Sequence, residues 1–422
     1  MSGGFLGSQQ AETEAAAAIL RTTVAVRQRA VQLLSRARHG ESRWFAVDDG
    51  FLESAAAAVV DSTRKRYPKR PLPLHSRWRH FEAGGVDRRG ELERMLAGLP
   101  VAARGHALID LTVVSVLLDA GAGPHWKYVE PATGQTFTRS EGLAVASYHA
   151  FAAGLFSSDR NRPLQADAAG LRGLVTDHLA GALQVSDANP LVGLQERAIL
   201  LRRLGEVLHE QPEVFGPDGR PSGLFDTVIS PLGPEVSHTA DVSAHAILSL
   251  ILYSLSAIWP AGNSIGAVAL GDCWRHAAVR GEGLSDGWMP FHKLSQWLTY
   301  SLIEPFEWTG VHVHGLDGLT ALPEYRNGGL LIDSGLLRLR DESAAQEIWQ
   351  PGDEIIVEWR AVTVALMDEV ALAVRRQLRL SETQLPLAAI LEGGSWAAGR
   401  ELAQRHRGGL PPLQVASDGT LF

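Results

Sequence analysis

Apolar residues in this chain recur at helical spacing over long stretches and at strand spacing almost nowhere. Between about Ala11 and Ala37, Ile19, Leu20, Val24, Val26, Val31, Leu33 and Leu34 recur among Arg and Gln, the pattern of an amphipathic helix. A second helix is expected after Asn189, with Pro190 in its first position and the run LVGLQERAILLRRLGEVLHE carrying it to about Glu210. A third opens at Pro351 and continues through GDEIIVEWRAVTVALMDEVALAVRRQL, with acids in its first turn and arginines in its last, as the helix dipole favours. Ser343 with Gln346 and Ser381 with Gln384 carry capping-box spacing. Strand signals are short and centre on TGQTF and GLLID. The chain is therefore expected to be mainly α with a few short strands. It is read as one catalytic unit over 1–422, with a possible division into an N-terminal helical subdomain 1–105 and a helical core 106–422.

A chain of 422 residues can bury a sizeable core. Its 39 Lys and Arg against 47 Asp and Glu leave a formal charge of −8, which argues against nucleic acid or anionic membrane as a partner and for a small molecule. Cys273 is the only cysteine, so neither an intrachain disulfide nor a cysteine-based zinc site can form, and a cytoplasmic setting is expected. The start has no basic region followed by an apolar run, so it does not read as a secretory signal. The most apolar segment, AHAILSLILYSLSAIWPAG, is punctuated by serines and closed by Pro260. It falls short of the roughly 20 apolar residues of a membrane span and reads as a buried helix.

Several residues sit where local physics disfavours them. In GLTALPEYRNGGLLID, Pro323 should end a helix running from about Asp317, leaving Glu324, Tyr325 and Arg326 on a turn. Gly328 and Gly329 then suit either a tight bend or the close approach of a ligand. Pro290 reads as a first-turn proline, which puts His292 and Lys293 near the positive end of a helix dipole, where a cation is unwelcome. Lys293 shares a helical line with Trp297 and Tyr300, so it looks into an aromatic-lined space or runs past it to solvent. Asp110 and Asp119 bracket LTVVSVLL, and Asp119, in a last turn, needs compensation. Lys127 or an arginine could supply it, or the carboxylate could lie between aromatic walls at Trp126 and Tyr128.

His75, Arg77 and Arg79 alternate and would share one face of an extended segment. Two readings stand: a phosphate cradle completed by the Gly84-Gly85 turn, or a connector paired with helix carboxylates. Glu358 flanks the stripe of Ile355, Trp359, Val362 and Leu366, and its burial requires a partner such as Arg326. His238, Asp241 and His245 would share a helical face if SHTADVSAH is helical, and His312 and His314 share one side of an extended VHVH, but neither matches a specific zinc signature. No metal and no cofactor is expected, and no nucleophile elbow, Walker loop or dinucleotide fingerprint is present.

The stretches YPKRPLPLHSRWRHFEAGGVDR, GDCWRH, PFHKLSQWLTYSLIEP, LTALPEYRNGGLLID and EWRAVTVALMDEVA resemble the uracil catabolism protein 4 family of fungi and bacteria through almost the whole chain. That resemblance implies a place in a route that breaks uracil down and releases urea. More distantly, FHKLSQWLTYSL, GLDGLTALPEYR and VEWRA are similar in order and spacing to the queuosine salvage nucleosidases. These are α-helical proteins of DNA-glycosylase-like architecture that hydrolyse the N-glycosidic bond of a nucleoside 5′-phosphate. By that resemblance Lys293 matches the motif lysine, Glu324 stands where the family has its catalytic aspartate, and Tyr325 and Arg326 follow it. NGG replaces the family's Val-Pro-Gln. The resemblance implies an N-ribosyl hydrolase acting on ribosylurea or its 5′-phosphate, with Glu324 and Lys293 catalytic. Tyr325, Arg326, His292, His75, Arg77, Arg79, Asp119, Trp126, Tyr128 and Glu358 are the candidate binding residues. A metal-dependent amidohydrolase or phosphohydrolase, and a non-catalytic ligand-binding or scaffold protein of the same route, are the alternatives.

Overall fold

The computed structural model describes residues 3–69, 71–230, 240–259 and 262–416. The chain is mainly α, and its strands are two or three residues long and form two-stranded pairs among the described residues. It divides into two compact units. Among the described residues, one comprises the chain up to His75 with segments ending at Gln296 and Ala416, the other Ser76 to residue 259 and Trp297–Gly315.

The first unit is built on the helix Glu354–Leu378, buried without a break from Ile355 to Met367. Helices Thr23–Arg38 and Leu52–Arg66 pack against it. The expected helix over Ala11–Ala37 is two, Gly3–Leu20 and Thr23–Arg38. Thr22 is extended and its hydroxyl accepts the Ala25 N–H at 3.1 Å, so a side chain suited to capping starts a new helix in mid-pattern. Pro351 lies three residues before the first residue of the long helix rather than opening it, because Asp353 takes the capping position. GLLID, expected as a strand, lies within the helix Tyr325–Asp333, and the helix expected from Asp317 is only a 3-10 turn, Leu316–Gly318. Ser381 and Gln384 exchange the two capping-box hydrogen bonds, but around a turn, and Ser343 lies inside a 3-10 turn capped by Asp341.

In the second unit Val101–Leu117, Arg139–Ala152, Leu194–Glu210 and Ala244–Ser254 are the longer helices. Pro190 lies outside Leu194–Glu210, which starts after Gly193 in a left-handed conformation. TGQTF contributes the strand Thr136–Thr138, antiparallel to Lys127–Val129, as expected. Within SHTADVSAH, Asp241–Ser243 is a strand parallel to His312–His314, and Ala244 and His245 open the helix Ala244–Ser254, so Asp241 and His245 share no helical face. His238 lies outside the described residues. Asp241 and His312 form an exposed pair at 2.8 Å. The apolar AHAILSLILYS is a helix with a buried face, and no helix among the described residues is long and apolar enough to cross a membrane.

Candidate active site

Glu324 is the N-cap of Tyr325–Asp333. Its backbone is extended, and its two carboxylate oxygens accept N–H groups from Asn327 at 2.7 Å and Arg326 at 2.8 Å. Both amides are first-turn donors that have no partner inside the helix. The carboxylate is held against rotation, is half-buried, and keeps lone pairs for another group. Gly328 and Gly329 are helical residues and make no bend. A Cβ on Gly328 would come within 2.7 Å of the Trp359 ring, so glycine there admits an aromatic wall against the helix. Asn327 fixes the same turn by donating to the Leu322 carbonyl at 3.1 Å and accepting from Ser395 at 2.9 Å.

The residue that organises this region was not a sequence candidate. Asp272, in GDCWRH, is buried and forms a two-pronged ion pair with Arg360 at 2.8 and 2.7 Å. The indole N–H of Trp274 donates to Asp272 at 2.7 Å, and so does the backbone N–H of Lys293 at 3.0 Å. Burial pushes the Asp272 carboxyl up, but the Arg360 charge and these donors outweigh it and hold the group well below the usual carboxylate range. The Arg360 plane lies over Phe291 at 3.9 Å, and its Nε donates to the Pro323 carbonyl at 3.4 Å. One ion pair thus holds the first residue of the Lys293 helix and the residue before Glu324. Gln296 closes the same joint through Thr320, at 2.6 and 2.8 Å. Asp272 lay inside a stretch that carries the resemblance, but nothing local to it points to a partner 88 residues away.

Lys293 is half-buried at the start of the helix Lys293–Trp308, as the dipole argument expects, though Pro290 ends a strand instead of opening that helix. His292 is left-handed at φ 50°, an uncommon conformation for a residue with a side chain, and burial lowers its pKa. Its Nε2–H donates to the Leu20 carbonyl at 2.9 Å, so the imidazole serves the fold. Arg326 is buried with its guanidinium 3.9 Å over Trp396 and 4.9 Å over its neighbour Tyr325, and it is not the partner of Glu358. Glu358 accepts from Ser42 and, at 3.2 Å, from His276.

His75, Arg77 and Arg79 do not share a face, because Ser76 caps a short helix, Arg77–Phe81, where an extended segment was expected. Each is paired with a carboxylate: His75 with Glu392 at 2.9 Å, Arg77 with Asp119 at 2.9 Å, and Arg79 with Glu304 at 2.8 Å. The connector reading describes them better than the cradle. Trp126 donates to the Leu183 carbonyl at 3.0 Å, and Tyr128 stacks on His149.

His276, Glu354 and Glu358 place their ligand atoms within 4.8 Å of one another. The imidazole Nδ1 accepts the Ala278 N–H at 3.1 Å, which leaves the proton on Nε2, facing Glu358. A histidine that ligates a metal through Nε2 needs its other nitrogen to donate, the reverse of this arrangement. The arrangement forms a buried His–Glu hydrogen bond. Grooves of about 490 Å³ at Ser54–Arg405 and about 470 Å³ at His106–Ser230 are lined by none of the candidate residues.

The family model described as "Protein of unknown function (DUF1688)" matches residues 19–422. The chain is 38% identical over 409 residues to Protein urg3 of Schizosaccharomyces pombe, covering 94% of this chain and 96% of that protein. It is 39% identical over 378 residues to Uracil catabolism protein 4 of Lachancea kluyveri, covering 83% and 85%.

Proposed function

The chain belongs to the DUF1688 family, and from that premise we propose that it is an N-ribosyl hydrolase of uracil degradation. It cleaves ribosylurea or its 5′-phosphate to urea and ribose or ribose 5-phosphate. The observation that supports this reading is the joint at Asp272–Arg360, which holds the backbone of Lys293 and that of Pro323, the residue before Glu324. The name of the Lachancea relative supports the route.

In the reaction, C1–N breaks with its electron pair on the urea nitrogen, which takes up a proton. A water oxygen bonds to C1 and the water gives up a proton, so atoms and charge balance. The ribosyl group passes through an oxocarbenium-like state, and Glu324 faces that charge or takes the water proton. Lys293 orients the ribose hydroxyls or the leaving group.

The test is urea release from ribosylurea and its 5′-phosphate. Glu324→Gln keeps the shape and should lower kcat about 100-fold or more while ribose 5-phosphate still raises the melting temperature. Lys293→Met should also slow turnover, and activity should survive exhaustive chelation. Normal turnover by folded Glu324→Gln protein would remove Glu324 as the reacting carboxylate. Loss on chelation with rescue by one divalent ion would favour a metal-dependent hydrolase instead.

A further inference from the structure

We propose that Asp272 and Arg360 are positioning residues of this site, with Trp274 as their brace, and that they fix Lys293 and Glu324 in a common frame. The inference rests on the hydrolase reading and goes beyond it by assigning roles to three residues that the resemblance leaves without one.

The reason lies in how the hydrogen bonds are distributed. A buried ion pair seldom stabilises a fold more than apolar side chains of the same volume, so stability alone is a weak account of this one. Its bonds are directional and reach two segments that carry chemistry. Asp272 Oδ2 receives the Lys293 N–H at 3.0 Å, and Oδ1 receives the Trp274 indole at 2.7 Å. The Asp272 carbonyl also accepts the Phe291 N–H at 2.9 Å, just before the left-handed His292. The Arg360 fork uses both Nη atoms on Asp272, which leaves Nε for the Pro323 carbonyl, one residue before the reacting carboxylate. Gly352 lies so close to Trp274 that a Cβ would be 2.8 Å from the ring, which holds the indole in place.

A lysine at 360 would keep the charge but lose the planar fork, so it could not serve Asp272 and Pro323 together. A shift of about 1 Å at a reacting group costs on the order of 100-fold in rate. The pair thus acts through geometry and touches no reacting atom.

Two measurements test this on the full chain. In the first, Arg360→Lys and the milder Trp274→Phe are compared with the unaltered protein by amide hydrogen exchange. Peptides covering 291–297 and 322–328 should both exchange faster in each variant, while 101–117 stays unchanged. Loosening of only one of the two segments, or of neither, overturns the common frame. Trp274→Phe removes one hydrogen bond and part of one ring and leaves the ion pair in place, so it keeps the test open if Arg360→Lys does not fold.

In the second, urea release from ribosylurea 5′-phosphate should show a kcat lowered about 10- to 100-fold in Arg360→Lys and about 3-fold in Trp274→Phe, with KM within about two-fold. In a Glu324→Gln background the same substitutions should cost less than about three-fold and become negligible, respectively, because no positioned carboxylate remains to be misplaced. Full losses in both backgrounds would make the pair merely structural and overturn the inference while the hydrolase reading stands. A Glu324→Gln protein with normal turnover would instead sink the hydrolase reading at this residue.

Discussion

Each unit of the molecule buries an arginine against an aspartate, and the two pairs are built differently. In the first, Arg360 meets Asp272 with both Nη atoms and gives its Nε to a backbone carbonyl. In the second, Arg77 meets Asp119 through Nη1 alone, at 2.9 Å, and spreads its remaining bonds over the Ser115 hydroxyl, the Ser140 carbonyl and His80. Its Nη2 has no partner among the described residues. Burial lowers the pKa of the Arg77 guanidinium, and the Asp119 charge works against that shift. The first pair is closed on itself and on two backbone segments, whereas the second is one contact in a loose polar network. Burial of opposite charges is thus compatible with two designs, one that fixes geometry and one that only shares out hydrogen bonds.

The largest expected effect separates the two. Asp272→Ala removes the carboxylate that faces a buried guanidinium, and the loss should be about 3–5 kcal/mol. Asp119→Ala leaves Arg77 with three neutral partners, and its loss should be smaller by about 1 kcal/mol or more. Denaturant unfolding of each variant measures this, and equal losses would break the comparison.

The next effect asks whether the contrast belongs to the pairs or to the units. Glu392, in the π-helical turn Leu391–Ser395, is buried in the first unit, and donors from His75, Tyr67 and Arg66 outweigh that burial and bring its pKa to about 2. In the second unit Glu130 is buried too, and the Arg88 fork with Thr133 and His149 brings its pKa to about 2 as well. A carboxyl whose folded pKa lies below its unfolded value contributes stability above the unfolded pKa. That contribution fades as pH falls through the folded one. Both should therefore lose their stabilisation between about pH 4.5 and 2, on the order of 2–3 kcal/mol each. Glu392→Gln and Glu130→Gln should each flatten the acid limb of a stability–pH curve to a similar degree. A flattening confined to one would place the difference in the units.

These networks also mark what could be read in advance. Periodicity located Thr23–Arg38 and Glu354–Leu378 because each shows an apolar stripe several turns long. It failed at GLLID, where five apolar-rich residues fit either period and the deciding signal was the Glu324 cap just upstream. Glu324 itself was legible as an acid after a proline, and the compensation required at Asp119 was legible from the dipole, though not that Arg77 supplies it. Arg326 as partner of Glu358 was wrong because sequence specifies that a buried charge needs a partner but not which loop delivers one. Ser42 and His276 come from two different segments, 316 and 82 residues away.

A smaller effect tests the support of the closed pair. Gly328→Ala pushes a methyl to within 2.7 Å of Trp359, the neighbour of Arg360 on its helix. The ring is buried and has little room, so about 1–3 kcal/mol of stability should be lost. Urea release should fall as well, because the helix that yields to the clash is the one whose N-terminus Glu324 caps. Unchanged stability would mean that Trp359 turns aside freely and that this wall is not rigid.

The smallest effect has the opposite sign and comes from the adjacent residue. Gly329 is helical, without a positive φ, and a Cβ there would first meet Pro412 at 3.4 Å, close to an ordinary van der Waals contact. Glycine in a helix interior is less favourable than alanine by about 1 kcal/mol, largely through the freedom it has when unfolded. With no clash to offset that gain, Gly329→Ala should be neutral or stabilise by up to about 1 kcal/mol and leave turnover within about two-fold. The two glycines look alike in NGG, yet one admits a tryptophan and the other meets only a proline edge. Thermal unfolding of the two single variants measures the difference directly. A loss at residue 329 as large as at 328 would show that the whole helix face, and not the Trp359 contact alone, requires glycine.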